Sequence, residues 1–147
     1  MSVLFDTSVL VAAMVENHER HDDSLPWLQR AQEGAFAGRI SAHSLAETYA
    51  VLTAMPLPIR LRSDVAWQLI DANVLAHFDV VELARGDYRT LLDAAAKHDL
   101  RGGVIYDAII ARAAEKIDAD QLLTLNPDDF RRVWPAGADR VITPDHR

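Results

Sequence analysis

Short apolar runs alternate with stretches of helical periodicity along this chain, and that alternation restricts the fold more than any other feature. Ser2 to Phe5 reads as a buried strand running into Asp6-Thr7-Ser8, a set of helix-capping residues ahead of the apolar stretch Val9 to Val15. A helical pattern follows from His18 to Glu33, in which Pro26 either kinks the helix or opens a new one. A strand is expected around Arg39 and Ile40, after which Ser41 can cap a helix from Ala42 to about Ala54, stopped by Pro56 and Pro58. Further helices are expected over about Leu61 to Ala76, Asp87 to His98 and Val104 to Lys116, the last entered through Arg101-Gly102-Gly103. Phe78 to Glu82, Gln121 to Thr124 and Arg140 to Thr143 carry strand patterns, and Asn126 to Asp129 reads as a polar turn. Strands separated by helices predict an α/β fold of three layers, with a mainly parallel central sheet of about four to five strands and helices on both faces.

The length of 147 residues, half of them apolar, suits one sizeable core, so a single domain over residues 1–147 is expected. No internal repeat, low-complexity tract or Gly/Ser linker divides it. No apolar run approaches the roughly 18 to 20 residues of a membrane span, and the first residues lack the basic start of a secretion signal. A soluble, cytoplasmic protein with no membrane association is the expectation.

Cysteine is absent, so any metal falls to carboxylates and imidazoles, a donor set for hard cations. The formal charge of −7 is opposite to that of a protein that grips nucleic acid chiefly by neutralising phosphates. A nucleic-acid substrate would need local groups to hold it.

Acids that occur without company stand out against this background. Asp6 is the only charged side chain from Met1 to Val15, Glu47 the only one from Ile40 to Ile59 with His43 set aside, and Asp107 the only one from Gly102 to Ala111. Segments this apolar are mostly buried, and a buried carboxylate must be hydrogen-bonded, paired with a cation or bound to a metal. Glu47 shares a helix face with His43, Ala50, Val51 and Ala54, and Asp107 lies among Val104, Ala108, Ile110 and Ala111. Asp6 closes the first strand, at the edge of an open α/β sheet where ligands bind.

If the three acids face that edge together, they repel one another until a divalent cation joins them. Mg²⁺ or Mn²⁺ suits an oxygen-only set, and such an ion can activate water against a phosphodiester without a protein nucleophile. Simpler roles exist for each acid taken alone: Asp6 as a helix cap, Glu47 and Asp107 as buried acids satisfied by backbone or by an arginine.

After the fourth strand, Asn126, Asp128 and Asp129 compete to complete the site, with Asp129 the preferred carboxylate, although Asp128 and Asp129 can equally cap the next helical turn. Thr7, Ser8 and Thr124 lie beside the proposed edge, where hydroxyls can orient water or touch phosphate, and turn or cap roles compete for Ser8. His18, His21 and Asp22 have a metal-binding spacing but read better as solvated loop residues. Arg39, Arg60, Arg62, Arg101, Arg112, Arg131 and Arg132 are candidates for phosphate contact, most of them plain surface charge. Trp27, Trp67 and Trp134 are isolated from one another and fit core or interface better than a base-stacking platform.

Four blocks in order resemble the PIN-domain ribonucleases, specifically the VapC-type toxins of bacterial and archaeal toxin–antitoxin pairs. They are Val3-Leu4-Phe5-Asp6-Thr7-Ser8-Val9-Leu10, Ile40-Ser41-Ala42-His43-Ser44-Leu45-Ala46-Glu47, Gly103-Val104-Ile105-Tyr106-Asp107-Ala108, and Leu123-Thr124-Leu125-Asn126 with Asp129-Phe130. The resemblance spans nearly the whole chain and puts Asp6, Glu47 and Asp107 on the family's metal-binding acids. It implies RNA cleavage dependent on Mg²⁺ or Mn²⁺, a homodimer, and a small VapB-type antitoxin whose tail fills the acidic cleft. Where the family often has a fourth acid after the last Thr, this chain has Asn126.

Two rivals stand beside this reading. A haloacid dehalogenase-type phosphatase also ends its first strand in Asp, but it needs a second Asp two positions on, where Ser8 stands. A PIN-like module that binds RNA or a protein without cutting is the other.

Overall fold

The computed structural model describes residues 1–56 and 60–145. Five strands form one sheet: β1 (Ser2–Phe5), β2 (Ala37–Ser41), β3 (Asp79–Val81), β4 (Gln121–Leu123) and β5 (Val141–Ile142). Their order is β3-β2-β1-β4-β5, and every neighbouring pair is parallel. Seven α-helices accompany them among the described residues: α1 (Thr7–Met14), α2 (His21–Gln32), α3 (Ala42–Thr53), α4 (Ser63–Ile70), α5 (Arg85–Lys97), α6 (Val104–Lys116) and α7 (Pro127–Val133). The predicted parallel, two-sided α/β sheet is what the chain forms.

Side-chain alternation along β1 divides the core between the two faces. Val3 and Phe5 point to one side, where they meet Val9, Leu10, Trp27, Leu28, Phe36 and Phe78; Leu4 points to the other, against Ile110, Ala114, Leu122, Phe130 and Trp134. Both clusters are almost fully dry, and each large apolar side chain taken out of water contributes roughly 1.5–3 kcal/mol. A third cluster of Val11, Val15, Leu52, Ala66 and Ile70 ties α3 and α4 to the outer side of α1.

Several local expectations change in the folded chain. Pro26 lies inside α2, which starts at His21 and runs on to Gln32. Ser41 is the last residue of β2 and makes no cap hydrogen bond, because the strand passes into α3 without a loop. The segment read as a polar turn at Asn126 becomes the N-terminus of α7, with Pro127 at its start and Asp128 and Asp129 in its first turn. That placement follows helix-start chemistry: proline needs no N–H partner there, and acids favour the positive end of the helix dipole. Pro56 follows α3 as expected, whereas Pro58 lies outside the described residues. The helix expected to reach Ala76 is α4 followed by one π-helical turn, Asp71–Leu75.

Candidate active site

Because the strands are parallel, their carboxyl ends share one edge, and the chain leaves β1 and β2 there almost without loops. Asp6 is the single residue between Phe5 and Thr7, so its side chain is fixed at the end of the central strand. The backbone N–H of Asp6 donates to the Leu123 carbonyl at 2.9 Å, which draws the ends of β1 and β4 together and puts Thr124 beside it. Glu47 stands in α3, which starts directly from β2, and Asp107 stands in the first turn of α6.

Asp6, Glu47 and Asp107 line one open cleft of about 280 Å³ together with Thr7, Ser8, His18 and Asn126. Asp6 is 4% exposed. Its Oδ2 accepts hydrogen bonds from Ser8 Oγ at 2.6 Å and from Thr124 Oγ1 at 2.8 Å. The simple cap role fails, since Asp6 makes no side-chain cap hydrogen bond to α1. Burial pushes its carboxyl above the ordinary range; the Ser8 and Thr124 bonds oppose this, and the Glu47 charge adds to it.

Asp107 is half-buried, and its carboxyl is pushed up to about 6, first by burial and then by the charges of Asp6, Asp129 and Glu47. Arg132 pulls the other way. Three acids distant in sequence therefore act on Asp107 at this edge, and Glu47 acts on Asp6 as well. Glu47 Oε2 meets His43 Nε2 at 3.0 Å, a contact that orients the carboxylate.

Asp87 shows how an acid with a purely architectural role looks in this fold. It receives the Ala84 N–H at 2.8 Å, Arg112 at 2.9 Å and Lys116 Nζ at 2.8 Å, which hold its carboxyl down to about 2. None of Asp6, Asp107 and Asp129 has an ion-pair partner among the described residues. In the sequence Asp87 differs from the site acids by its charged neighbours Arg85 and Arg89, and in space by the cations that satisfy it.

The remaining candidates sort by position. Thr124 and Ser8 join the Asp6 hydrogen-bond network, and the Ser8 hydroxyl also accepts the Leu125 N–H at 3.1 Å. Thr7 contributes a buried Oγ1 with no hydrogen-bond partner. Asn126 lines the cleft, and its N–H donates to Thr124 Oγ1 at 3.0 Å. Asp129 is exposed but close enough to act on Asp107, whereas Asp128 lies in solvent beside Arg131. His18 reaches the cleft wall, while His21 Nδ1 is engaged by the Ala12 carbonyl at 2.9 Å.

Among the arginines, Arg39, Arg62, Arg101, Arg112 and Arg131 are paired with acids, and Arg132 is the one whose charge reaches Asp107. A larger cavity of about 490 Å³ between α5, α6 and Trp134 is walled mainly by apolar side chains and contains none of the predicted acids. Sequence reasoning missed Tyr106, which stacks on His43 beside the cleft. Its position next to Asp107 was the available signal.

Whether these residues suit a divalent cation can be judged from the donors. All are oxygens apart from His18, the neighbouring carboxylates raise the affinity of Asp107 for protons as Glu47 does that of Asp6, and Thr7 Oγ1 is left over. Among the described residues, no three or more acid or imidazole side chains are grouped closely enough to form a ready-made cage for a metal ion. An open, oxygen-rich, self-repelling set fits a hard cation that keeps much of its water, as Mg²⁺ does.

Comparison with known proteins identifies the family and the fold. The profile of the PIN domain matches residues 3–134. Ribonuclease VapC40 of Mycobacterium tuberculosis is 37% identical over 119 residues, covering 81% of this chain and 82% of that protein. Ribonuclease VapC27 of the same organism is 33% identical over 115 residues, 78% of each chain. In three dimensions the chain resembles VapBC2 from Rickettsia felis bound to a DNA fragment from their promoter, with a TM-score of 0.67 and 19% identity over 97% of this chain and 98% of that one.

Proposed function

The chain belongs to the PIN-domain family, and from that premise we propose that it is a VapC-type ribonuclease, hydrolysing RNA phosphodiester bonds at the Asp6, Glu47 and Asp107 cleft with Mg²⁺ or Mn²⁺. One observation carries the reading. Asp6, Glu47 and Asp107 line one cleft, where the charges of Asp6, Asp129 and Glu47 add to burial in disfavouring ionised Asp107 and Arg132 opposes them, an arrangement that costs stability unless a cation is the ligand.

Asp6 and Asp107 are the principal ligands in this reading, with Glu47 and Asp129 completing the acidic ring and Thr7, Thr124 and Asn126 supporting it. Ser8 and Thr124 hold Asp6 in one orientation and favour its ionised form. His43 steadies Glu47. When bound, the cation lowers the pKa of water for in-line attack and offsets charge at the scissile phosphate. Arg132, exposed at the rim, is the side chain suited to a non-bridging phosphate oxygen.

The likeness to a VapBC2 assembly supports a toxin role with a small cognate VapB-type antitoxin. An acidic cleft in a chain of charge −7 attracts a basic inhibitor tail and speeds its capture. Exposed Trp67, Tyr49 and Val51 leave apolar surface on α3 and α4 for that partner or for a second copy in a homodimer. No helix among the described residues is long and apolar enough to cross a membrane. In this reading the toxin is a single PIN unit that acts in the cytoplasm.

Purified protein freed of antitoxin should cut RNA when Mg²⁺ or Mn²⁺ is supplied, stop with chelator, and be inert as Asp6→Asn. A second reading, a PIN module that binds without cutting, draws on Asn126 and on the unclosed cage. RNA binding with no metal-dependent cleavage in that assay would establish it instead.

A further inference from the structure

We propose that Tyr106 is a stacking platform for one unpaired nucleobase of single-stranded RNA, backed by His43 and seated beside the cut site. The inference rests on the ribonuclease reading and names how the substrate is held. The Tyr106 ring stacks parallel to the His43 imidazole and offset from it, with centroids 5.2 Å apart and planes 7° from parallel. The imidazole is itself tethered to Glu47 at 3.0 Å, so the pair is braced from the cleft side.

Tyr106 remains 50% exposed although its ring is stacked on His43, so much of its surface is open to a second stacking partner. Tyr49, Trp67 and Tyr88 are comparably exposed, yet among the described residues none of them has an aromatic neighbour to fix its ring. Tyr106 is thus an exposed aromatic already held in a defined plane, and it is covalently adjacent to Asp107. A base that stacks there brings its own phosphates to the acid cluster.

Charge favours such a contact. A chain of −7 with an acidic cleft gains little from phosphate neutralisation beyond what Arg132 and a bound cation supply, so contacts that do not depend on ions add to its affinity for RNA. Stacking is one, and it is open to every base because each has a π-face. The base must be unpaired, since both faces of a base inside a duplex are already covered.

The test uses the full chain as Asp6→Asn with Mg²⁺, so that RNA is not consumed, and fluorescence anisotropy with an oligoadenylate of roughly 12 nucleotides and an abasic strand of the same length. The expected result is binding of the oligoadenylate about 10-fold tighter than the abasic strand, kept by Tyr106→Phe and Tyr106→Trp and reduced to within about 2-fold by Tyr106→Leu. The slope of log Kd against log salt should be the same in all four proteins, with folding of each checked by circular dichroism. The proposal is overturned if Tyr106→Leu keeps the base preference, if it weakens both strands alike, or if the Tyr106 protein shows no preference at all. Metal-dependent cleavage by the unmutated chain, measured in parallel, separates these failures from failure of the ribonuclease reading.

Discussion

Thr124 Oγ1 donates a 2.8 Å hydrogen bond to Asp6 Oδ2, joining the end of β4 to the end of β1 across 118 positions of sequence. The bond is fully buried, and it favours the charged form of a carboxylate that burial disfavours. Thr124→Val keeps the shape and deletes the donor. We expect a loss of about 1–2 kcal/mol in stability by urea denaturation and a lower cleavage rate, with Thr124→Ser recovering most of both.

The acid cluster makes the metal-free chain sensitive to pH. Asp107 has a folded pKa of about 6, above its ordinary value of 3.8. Between those values the native state binds more protons than the unfolded chain, so stability is present below the lower value and is lost as pH rises through the upper one. The Tm of chelated protein should therefore fall between about pH 4 and 6 from this group, and Asp107→Asn should flatten the fall. Mg²⁺ should raise Tm most above pH 6 in the unmutated chain and leave the Asp6→Asn, Asp107→Asn double variant unchanged. A Tm insensitive to Mg²⁺ in the unmutated chain would count against a cation site.

Two neighbouring acids should behave differently. Asp129 acts on Asp107, and Asp128 is solvated beside Arg131. Asp129→Asn should lower metal-dependent cleavage roughly 10-fold or more, while Asp128→Asn stays within about 2-fold. Equal losses from the two would move the fourth ligand elsewhere.

Asp87 supplies the opposite pH signature. Its carboxyl is held at about 2, below the ordinary 3.8, by Lys116, the Ala84 N–H and Arg112. That stability is present above 3.8 and lost as pH falls through 2. Asp87→Asn should lower Tm at pH 7 and reduce the further loss on acidification, with cleavage per folded molecule unaltered.

Gly137 tests packing away from the cleft. A Cβ there would lie 2.0 Å from Trp134 Cε2, inside the buried cluster that includes Phe130 and Leu122. Gly137→Ala should cost roughly 1–3 kcal/mol in chemical denaturation.

Much of this protein is written in local pattern. Strands bounded by helices dictate parallel pairing, parallel pairing gathers the strand ends at one edge, and solitary acids in apolar segments mark what lies there. That Asp6, Glu47 and Asp107 meet in one cleft was legible for that reason, since a carboxylate set in an apolar segment calls for partners from elsewhere in the fold. The blocks around them also carry the resemblance to PIN ribonucleases, which the comparisons bear out.

Long-range register and rotamer direction decided the remainder. Asp87 and Asp107 both lie in the first turns of helices, and only the packing of α5 on α6 shows that Arg112 and Lys116 satisfy one of them. Asp129 was preferred to Asn126 and Asp128 only as a full carboxylate free to complete the site; both acids are exposed in the first turn of α7, and the docking of that helix brings the charge of Asp129 to bear on Asp107. The Thr124 bond to Asp6 and the stacking of Tyr106 on His43 join residues far apart in the chain. Periodicity reports which face a residue shares with its own helix or strand, whereas contacts across elements depend on how those elements dock.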